Sequence, residues 1–372
     1  MRKVPILLLE YSNYLLTANT LYCLGQYKQF EIHLLSRNAK SPFRFSQLVK
    51  SFHYFPKGEP DVSFLDFAKK VTQKTNAKVL VPTSAPSFRF LIQNQEVIEQ
   101  FIKVIPLPEL EAYEIAAEKG KLAKFLLENQ IPTPSTLYNL TENLEQQLAN
   151  FPFPVLLKPK VGSGGQGALK KPGITRFDDK AKLISFIRQH HLEEGYIIQH
   201  FIDGYVIGCN VLYKEGKLVT YTIQKGLVLR DNFACSLGIE FINNHEVVEL
   251  VDNLMSKLKW NGVANLDLIF DNKNKTVKIL EVNPRFWVTV GGSMFTANIN
   301  FPALVCLMAL NQPLENIDYK LGKYIPLSAF VEYKFSSSIV NKVKFSWKEI
   351  DSRHYFSNFI PRVYNLYSQK FG

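Results

Sequence analysis

Apolar positions along the first hundred residues fall into short unbroken runs separated by longer amphipathic stretches. Val4 to Leu9 is an apolar run of strand length, Tyr14 to Tyr27 reads as a helix, and Phe30 to Leu35 is a second strand. A polar connection, a helix near Ser63 to Thr75 and a strand at Lys78 to Val81 follow. Strands alternating with helices predict a small parallel sheet, which Pro106 and Pro108 close. From Glu109 to Asn129 the pattern is helical throughout. Ile131-Pro-Thr-Pro-Ser135 then stops it, because proline lacks an amide hydrogen and restricts the residue before it. Beyond a further helix, Phe153 to Lys158 reads as a strand, followed by a glycine-rich loop and a helix around Asp178 to His190. Strands follow at Tyr196 to Phe201 and Val206 to Tyr213, with another past Lys214-Glu-Gly-Lys217. Glu246 to Leu258 is an amphipathic helix. The last sixty residues are rich in Phe, Tyr and Lys, too apolar to predict as disordered, and carry no readable motif.

After that helix, two alternating runs, Ala264 to Phe270 and Lys278 to Arg285, flank the polar stretch Asp271-Asn-Lys-Asn-Lys275, the pattern of a β-hairpin. Glu281 and Asn283 are two residues apart on one strand and share a face. A hairpin symmetric about Asn274 sets Asp267 opposite Glu281. Three oxygen donors then converge on one patch with Arg285 at its edge, and hard oxygen ligands of this kind suit Mg²⁺.

The loop Lys158-Pro-Lys-Val-Gly162-Ser163-Gly164-Gly165-Gln166-Gly167 is the second constellation. Glycines let the backbone approach phosphate oxygens, and Lys158 at a strand end can neutralise their charge. The loop lacks Gly-Lys-Ser/Thr and is not a P-loop. Gly162-x-Gly164-x-x-Gly167 matches the dinucleotide fingerprint as a string, but Pro172-Gly173 follows where that motif requires a helix. A nicotinamide-dependent dehydrogenase is therefore disfavoured.

The chain of 372 residues is long enough for two or three domains, and 46% apolar with 21% charged residues is ordinary for a globular protein. Its four cysteines, Cys23, Cys209, Cys235 and Cys306, form no CxxC pair, which argues against zinc or a disulfide framework and predicts a reducing compartment. The N-terminal apolar run is too short for a signal peptide, no twenty-residue apolar stretch occurs, and a cytoplasmic location is expected. A net charge of +11 favours anionic partners, yet the charges are dispersed and no nucleic-acid motif accompanies them.

Taken in order, these segments resemble the ATP-grasp superfamily over roughly Glu109 to Leu310. Glu118-Lys119 through Asn129-Gln-Ile-Pro-Thr-Pro134 resembles that family's lysine helix and its closing motif, with Gln130 in the usual glycine place. Phe153 to Lys158 with the glycine loop resembles its second lysine and phosphate flap. Ile198-Gln199-His200-Phe201-Ile202-Asp203-Gly204 resembles the hinge that contacts adenine.

The resemblance implies an α/β protein, α+β within the grasp. A small parallel-sheet domain (1–108) would precede a two-lobed ATP-grasp domain (109–312, lobes about 109–195 and 196–312) and a C-terminal extension (313–372). It implies ATP and Mg²⁺ (or Mn²⁺), with Asp267, Glu281 and Asn283 on the metal. Lys119, Lys158, Gly162, Ser163, Gly164, Gly165 and Gly167 would contact the nucleotide together with the hinge residues Gln199, His200, Phe201, Ile202 and Asp203, Phe201 and Ile202 through their backbone groups. Arg285 and Lys158 would act in catalysis. The implied activity is ligation of a small-molecule carboxylate to an amine through an acyl phosphate, with the flap closing over the phosphates. A membrane partner is not expected, and a homo-oligomer is left open.

The hinge departs from the family pattern: Gln199 or His200 stands where many members carry glutamate, Val206 and Ile207 occupy the ribose positions, and Asp203 is the segment's one carboxylate. That departure supports a second reading, a non-catalytic ATP-binding scaffold or sensor. Lys225 and Arg230 either meet the phosphates or an acidic substrate or lie in a solvated loop, the commoner place for such residues, and Gly291-Gly292-Ser293 is either near the acyl phosphate or a helix-entry turn.

Overall fold

The computed structural model describes residues 3–11, 13–56, 62–162, 172–228, 236–314, 317–335, 343–357 and 359–371. Five parallel strands, β1 (Val4–Glu10), β2 (Phe30–Ser36), β3 (Val49–Tyr54), β4 (Val79–Pro82) and β5 (Lys103–Val104), form the first sheet in the order β3-β2-β1-β4-β5. Leu7, Leu8, Val79 and Val81 are buried at its centre, as an uninterrupted apolar strand covered on both faces requires. The polar connection expected after β2 contains β3, an edge strand whose half-buried residues carry no strong apolar pattern.

Four short strands, β6 (Thr136–Leu137), β7 (Val155–Pro159), β8 (Thr175–Phe177) and β9 (Tyr196–His200), make an antiparallel sheet in the order β6-β9-β7-β8. The third sheet holds β10 (Gly204–Lys214), β11 (Lys217–Val228), β12 (Gly238–Ile242), β13 (Gly262–Asp271), β14 (Thr276–Asn283), β15 (Gly322–Pro326) and β16 (Ile350–Asp351), in the order β14-β13-β10-β11-β12-β15-β16. The C-terminal stretch thus supplies two strands to the sheet that carries the hairpin. β15 and β16 are five and two residues long, too short to show a period.

One face of β10, β11, β13 and β14 packs Ile207, Cys209, Val211, Ile223, Leu266, Leu268, Val277 and Ile279 against the helix His245–Lys257 and Trp260. The segment after the hairpin belongs to the first sheet's core instead: Phe286, Trp287, Phe301 and Val305 cluster with Leu7, Leu8 and Phe88. At the start of β10 the chain runs so close to β13 that a Cβ at Gly204 would sit 1.9 Å from the Phe270 carbonyl oxygen, so only glycine fits. No helix among the described residues is long and apolar enough to cross a membrane.

Candidate active site

The hairpin pairs Asp267 with Glu281 and Asn265 with Asn283. This register depends on a feature that alternation alone does not show. Near the turn the strands pair Leu268 with Ile279 and Asp271 with Thr276, half a residue away from symmetry about Asn274. A bulge at Leu280 inserts the missing residue. It also switches the strand's faces: Val277 and Ile279 point into the apolar core, whereas beyond the bulge Val282 does, and Glu281 and Asn283 turn to the open face. Without it, Glu281 would point into the Leu266–Val251 core.

Two transverse rows result on the open face of the sheet. Gln224, Gly208, Asp267 and Glu281 lie in register across β11, β10, β13 and β14, and Thr222, Asn210, Asn265 and Asn283 form the neighbouring row. Gly208 leaves a gap beside Asp267 that the Gln224 side chain overhangs, 2.9 Å from where a Cβ would stand.

The helix expected over Glu109 to Asn129 is broken. Glu118 is extended, and its carboxylate caps a new helix, Lys119–Glu128, by accepting from the amides of Gly120 (2.7 Å) and Lys121 (3.3 Å). The break places Lys119 at the first helical position, with its amide bound to the Lys160 carbonyl and its ammonium 3.0 Å from Glu281 Oε2. The same ammonium donates to the Gly162 carbonyl at 2.9 Å. Lys158 is 7% exposed and donates to Gln199 Oε1 at 2.7 Å. Burial pulls its ammonium down to about 8, only partly opposed by Glu281.

Burial, and then the neighbouring Glu281 carboxylate, hold the Asp267 carboxyl well above the ordinary carboxylate range. Burial acts in the same direction on Glu281, but the Lys119 ammonium and hydrogen bonds from Asp267, Lys119 and Asn283 outweigh it and hold that carboxyl low. The two carboxyls are thus pushed in opposite directions, and a cation bound between them would favour the ionised form of both. Asn283 donates to Glu281 Oε1 at 3.1 Å, and its own oxygen accepts from Arg285 Nη2 at 3.0 Å. Arg285 Nη1 is fixed on the Phe286 carbonyl. The donor set is two carboxylates and an amide oxygen. Among the described residues no cluster of three or more His, Cys, Asp or Glu competes with it as a metal site.

The hinge segment is more committed than its sequence suggests. Gln199 is buried, and both ends of its amide are used, the oxygen by Lys158 and the nitrogen on Thr136 Oγ1 at 3.1 Å. The His200 and Phe201 amides are bound to the Ser135 and Pro154 carbonyls. Among the described residues the Phe201 carbonyl and the Ile202 backbone make no backbone hydrogen bond, while the exposed Asp203 gives its carbonyl to the Asn272 amide. Burial, and then Lys278, lower the His200 imidazole. Lys225 lies over the Tyr205 ring at 4.2 Å. Gly291 and Gly292 are helical and pack on Asn19 and Tyr324. Ser163, Gly164, Gly165, Gly167 and Arg230 lie outside the described residues. Sequence reasoning missed Asn265, Asn210 and Gln224. The signal for them was the strand register of β10 and β11 against the hairpin, which no single segment reveals.

The ATP-grasp domain family matches residues 116–289, a span that holds both lysines, the hinge, the hairpin and Arg285. This chain carries an ATP-grasp domain. A D-aspartate ligase of Enterococcus faecium (strain Aus0004) is 23% identical over 387 residues, 89% of this chain and 90% of that protein. A carbamoyl phosphate synthase large chain of Thermoanaerobacter sp. (strain X514) is 26% identical over 223 residues; the match takes in 57% of this chain but only 20% of the synthase. Among solved structures, L-amino acid ligase from Bacillus licheniformis superposes with a TM-score of 0.62 at 18% identity, over 86% of this chain and 77% of that one. Biotin carboxylase from Campylobacter jejuni gives 0.67 at 15% identity, over 86% and 74%. At such identities these structures speak to the ATP-grasp fold alone.

Proposed function

We propose that this ATP-grasp chain is an ATP- and Mg²⁺-dependent ligase that joins a carboxylate to an amine and releases ADP and phosphate. The observation that carries the reading is the convergence of Asp267, Glu281 and Asn283 on one sheet face, with Lys119 3.0 Å from Glu281 and Arg285 3.0 Å from Asn283. The D-aspartate ligase supports it, because that likeness runs along nearly the whole of both chains. It also points to amino acids or short peptides as the carboxylate and amine.

In the first step a carboxylate oxygen bonds to the γ-phosphorus as the bond to the β-phosphate oxygen breaks, giving an acyl phosphate and ADP. In the second, the amine nitrogen bonds to the acyl carbon, the carbon–oxygen bond breaks, phosphate leaves and the amine gives up a proton. Attack of one anion on another needs cationic surroundings. Lys119 and Lys158 face the nucleotide phosphates, and an arriving phosphate stabilises the Lys158 ammonium that burial disfavours. Arg285, anchored through Asn283 and the Phe286 carbonyl, faces the transferred phosphoryl group. Mg²⁺ (or Mn²⁺), held by Asp267, Glu281 and Asn283, would supply charge neutralisation on the phosphates. The open hinge backbone at Phe201 and Ile202 receives the adenine, and Gln199 serves to hold Lys158.

The test is ADP release from ATP and Mg²⁺ across pairs of amino acids and dipeptides. ADP that appears only when a carboxylate and an amine are both present is the expected result. Nucleotide binding with no ADP from any pair would favour the scaffold reading, to which the apolar Val206 lends support; Ile207 is buried in the core on the other face of the sheet.

A further inference from the structure

The second transverse row on the open face is a chain of side-chain amides that all run the same way. Asn283 Nδ2 donates to Asn265 Oδ1 at 3.2 Å, Asn265 Nδ2 to Asn210 Oδ1 at 3.0 Å, and Asn210 Nδ2 to Thr222 Oγ1 at 3.1 Å. Thr222 Oγ1, which accepts from Asn210, also shares a hydrogen bond with Ser293 Oγ, 3.2 Å away on the helix Val290–Phe295, in which either hydroxyl can donate. Asn210, Thr222 and Ser293 are fully buried and Asn265 is 7% exposed.

Such a chain is a poor way to gain stability. Four buried polar groups replaced together by apolar ones of like shape would cost little or nothing. What the chain does provide is direction. Turning Asn265 or Asn283 over alone would set oxygen against oxygen on one side and donor against donor on the other, and turning Asn210 over alone would set its NH₂ against that of Asn265, so each amide's orientation constrains its neighbour's. At the open end the fixed group is Asn283. With its nitrogen held by Asn265, its oxygen must face Arg285 and the proposed cation position. Glu281 Oε1 also accepts from that nitrogen, but Glu281 is itself ion-paired to Lys119 and is a proposed metal ligand. Asn265 is the acceptor with no other task at the site.

We infer that Asn265 is a positioning residue for the metal–phosphate site, holding the Asn283 oxygen toward the cation through a one-way amide relay anchored by Asn210, Thr222 and Ser293. The inference rests on the ligase reading above, since it presumes Mg²⁺ at Asn283. It goes beyond that reading in assigning a role to residues that touch neither metal nor nucleotide.

The experiment measures thermal stabilisation by a non-hydrolysable ATP analogue as Mg²⁺ is titrated, for wild type, Asn265→Leu, Asn265→Asp and Thr222→Val. Asn265→Leu should raise the Mg²⁺ concentration for half-maximal stabilisation about 10- to 100-fold, with the Mg²⁺-free nucleotide shift unchanged. Asn265→Asp still accepts from Asn283 but sets an oxygen against Asn210 Oδ1, so its requirement should fall between those of wild type and Asn265→Leu. Thr222→Val, isosteric and distant from the hairpin, deprives Asn210 of its acceptor and should raise the requirement severalfold; it keeps the test alive if Asn265→Leu does not fold. A Mg²⁺ requirement in Asn265→Leu or Thr222→Val within about twofold of wild type would overturn the relay, as would a loss in Asn265→Asp equal to that in Asn265→Leu. Absence of any Mg²⁺-dependent shift in wild type would instead defeat the nucleotide-site reading itself.

Discussion

Lys158 places a positive charge in a position that costs the empty protein stability, and the cost has a measurable pH signature. The residue is 7% exposed, and burial lowers its ammonium from the ordinary 10.5 to about 8. That displacement is worth about 3 kcal/mol. Below pH 8 the lysine is protonated both folded and unfolded, and the full cost is present. Between pH 8 and 10.5 the unfolded chain binds more protons than the folded one, so stability contributed by this residue rises with pH. Lys158→Met keeps the volume and removes the titration. It also strands the Gln199 oxygen, a cost of about 1–3 kcal/mol that does not vary with pH. The diagnostic quantity is therefore the difference between wild type and variant at several pH values. Wild type should gain about 2 kcal/mol on the variant between roughly pH 7.5 and 9.5, read from denaturant midpoints of both proteins. At the same time the variant should lose stabilisation by nucleotide. Curves that stay parallel across this range would refute the claim that the fold holds a costly cation in readiness for phosphate.

Three further substitutions probe the same site from different sides. Glu281→Ala and Arg285→Ala should each abolish ADP formation, a fall of at least about a hundredfold, while circular dichroism and thermal midpoint stay close to wild type; retained turnover in either would remove these residues from the proposed chemistry. Glu118→Ala should cost about 1 kcal/mol through loss of the helix cap and weaken nucleotide binding, because the cap sets the direction of Lys119; unchanged affinity in a titration with the ATP analogue would separate the cap from the lysine.

The chain announces much of this architecture through period and punctuation. Apolar runs at β1, β2 and β4 are legible because both faces of those strands are buried. The hairpin is legible because a polar turn separates two alternating runs. Asp267 opposite Glu281 follows from counting, yet counting succeeds only because Leu280 bulges, and nothing in Lys278-Ile-Leu-Glu281 marks that position. The break at Glu118 was hidden because glutamate is a good helix former, and only the approach of Lys119 to Lys160 and Glu281 makes it a cap. Gln199 reads as a hinge residue from its place in the order. Its actual partners, Lys158 and Thr136, arrive through the pairing of β7, β9 and β6. Asn210 and Asn265 look like isolated polar interruptions of apolar strands until the register joins them.

The most direct test of the central claim follows one oxygen atom. A carboxylate substrate found by the ADP screen is labelled with ¹⁸O in its carboxyl group and turned over with ATP, Mg²⁺ and its amine partner. Activation as an acyl phosphate predicts that each phosphate released carries one ¹⁸O from the carboxylate. Phosphate free of label, formed together with ADP and the coupled product, would contradict attack of the carboxylate on the γ-phosphate and with it the mechanism assigned to Lys158 and Arg285.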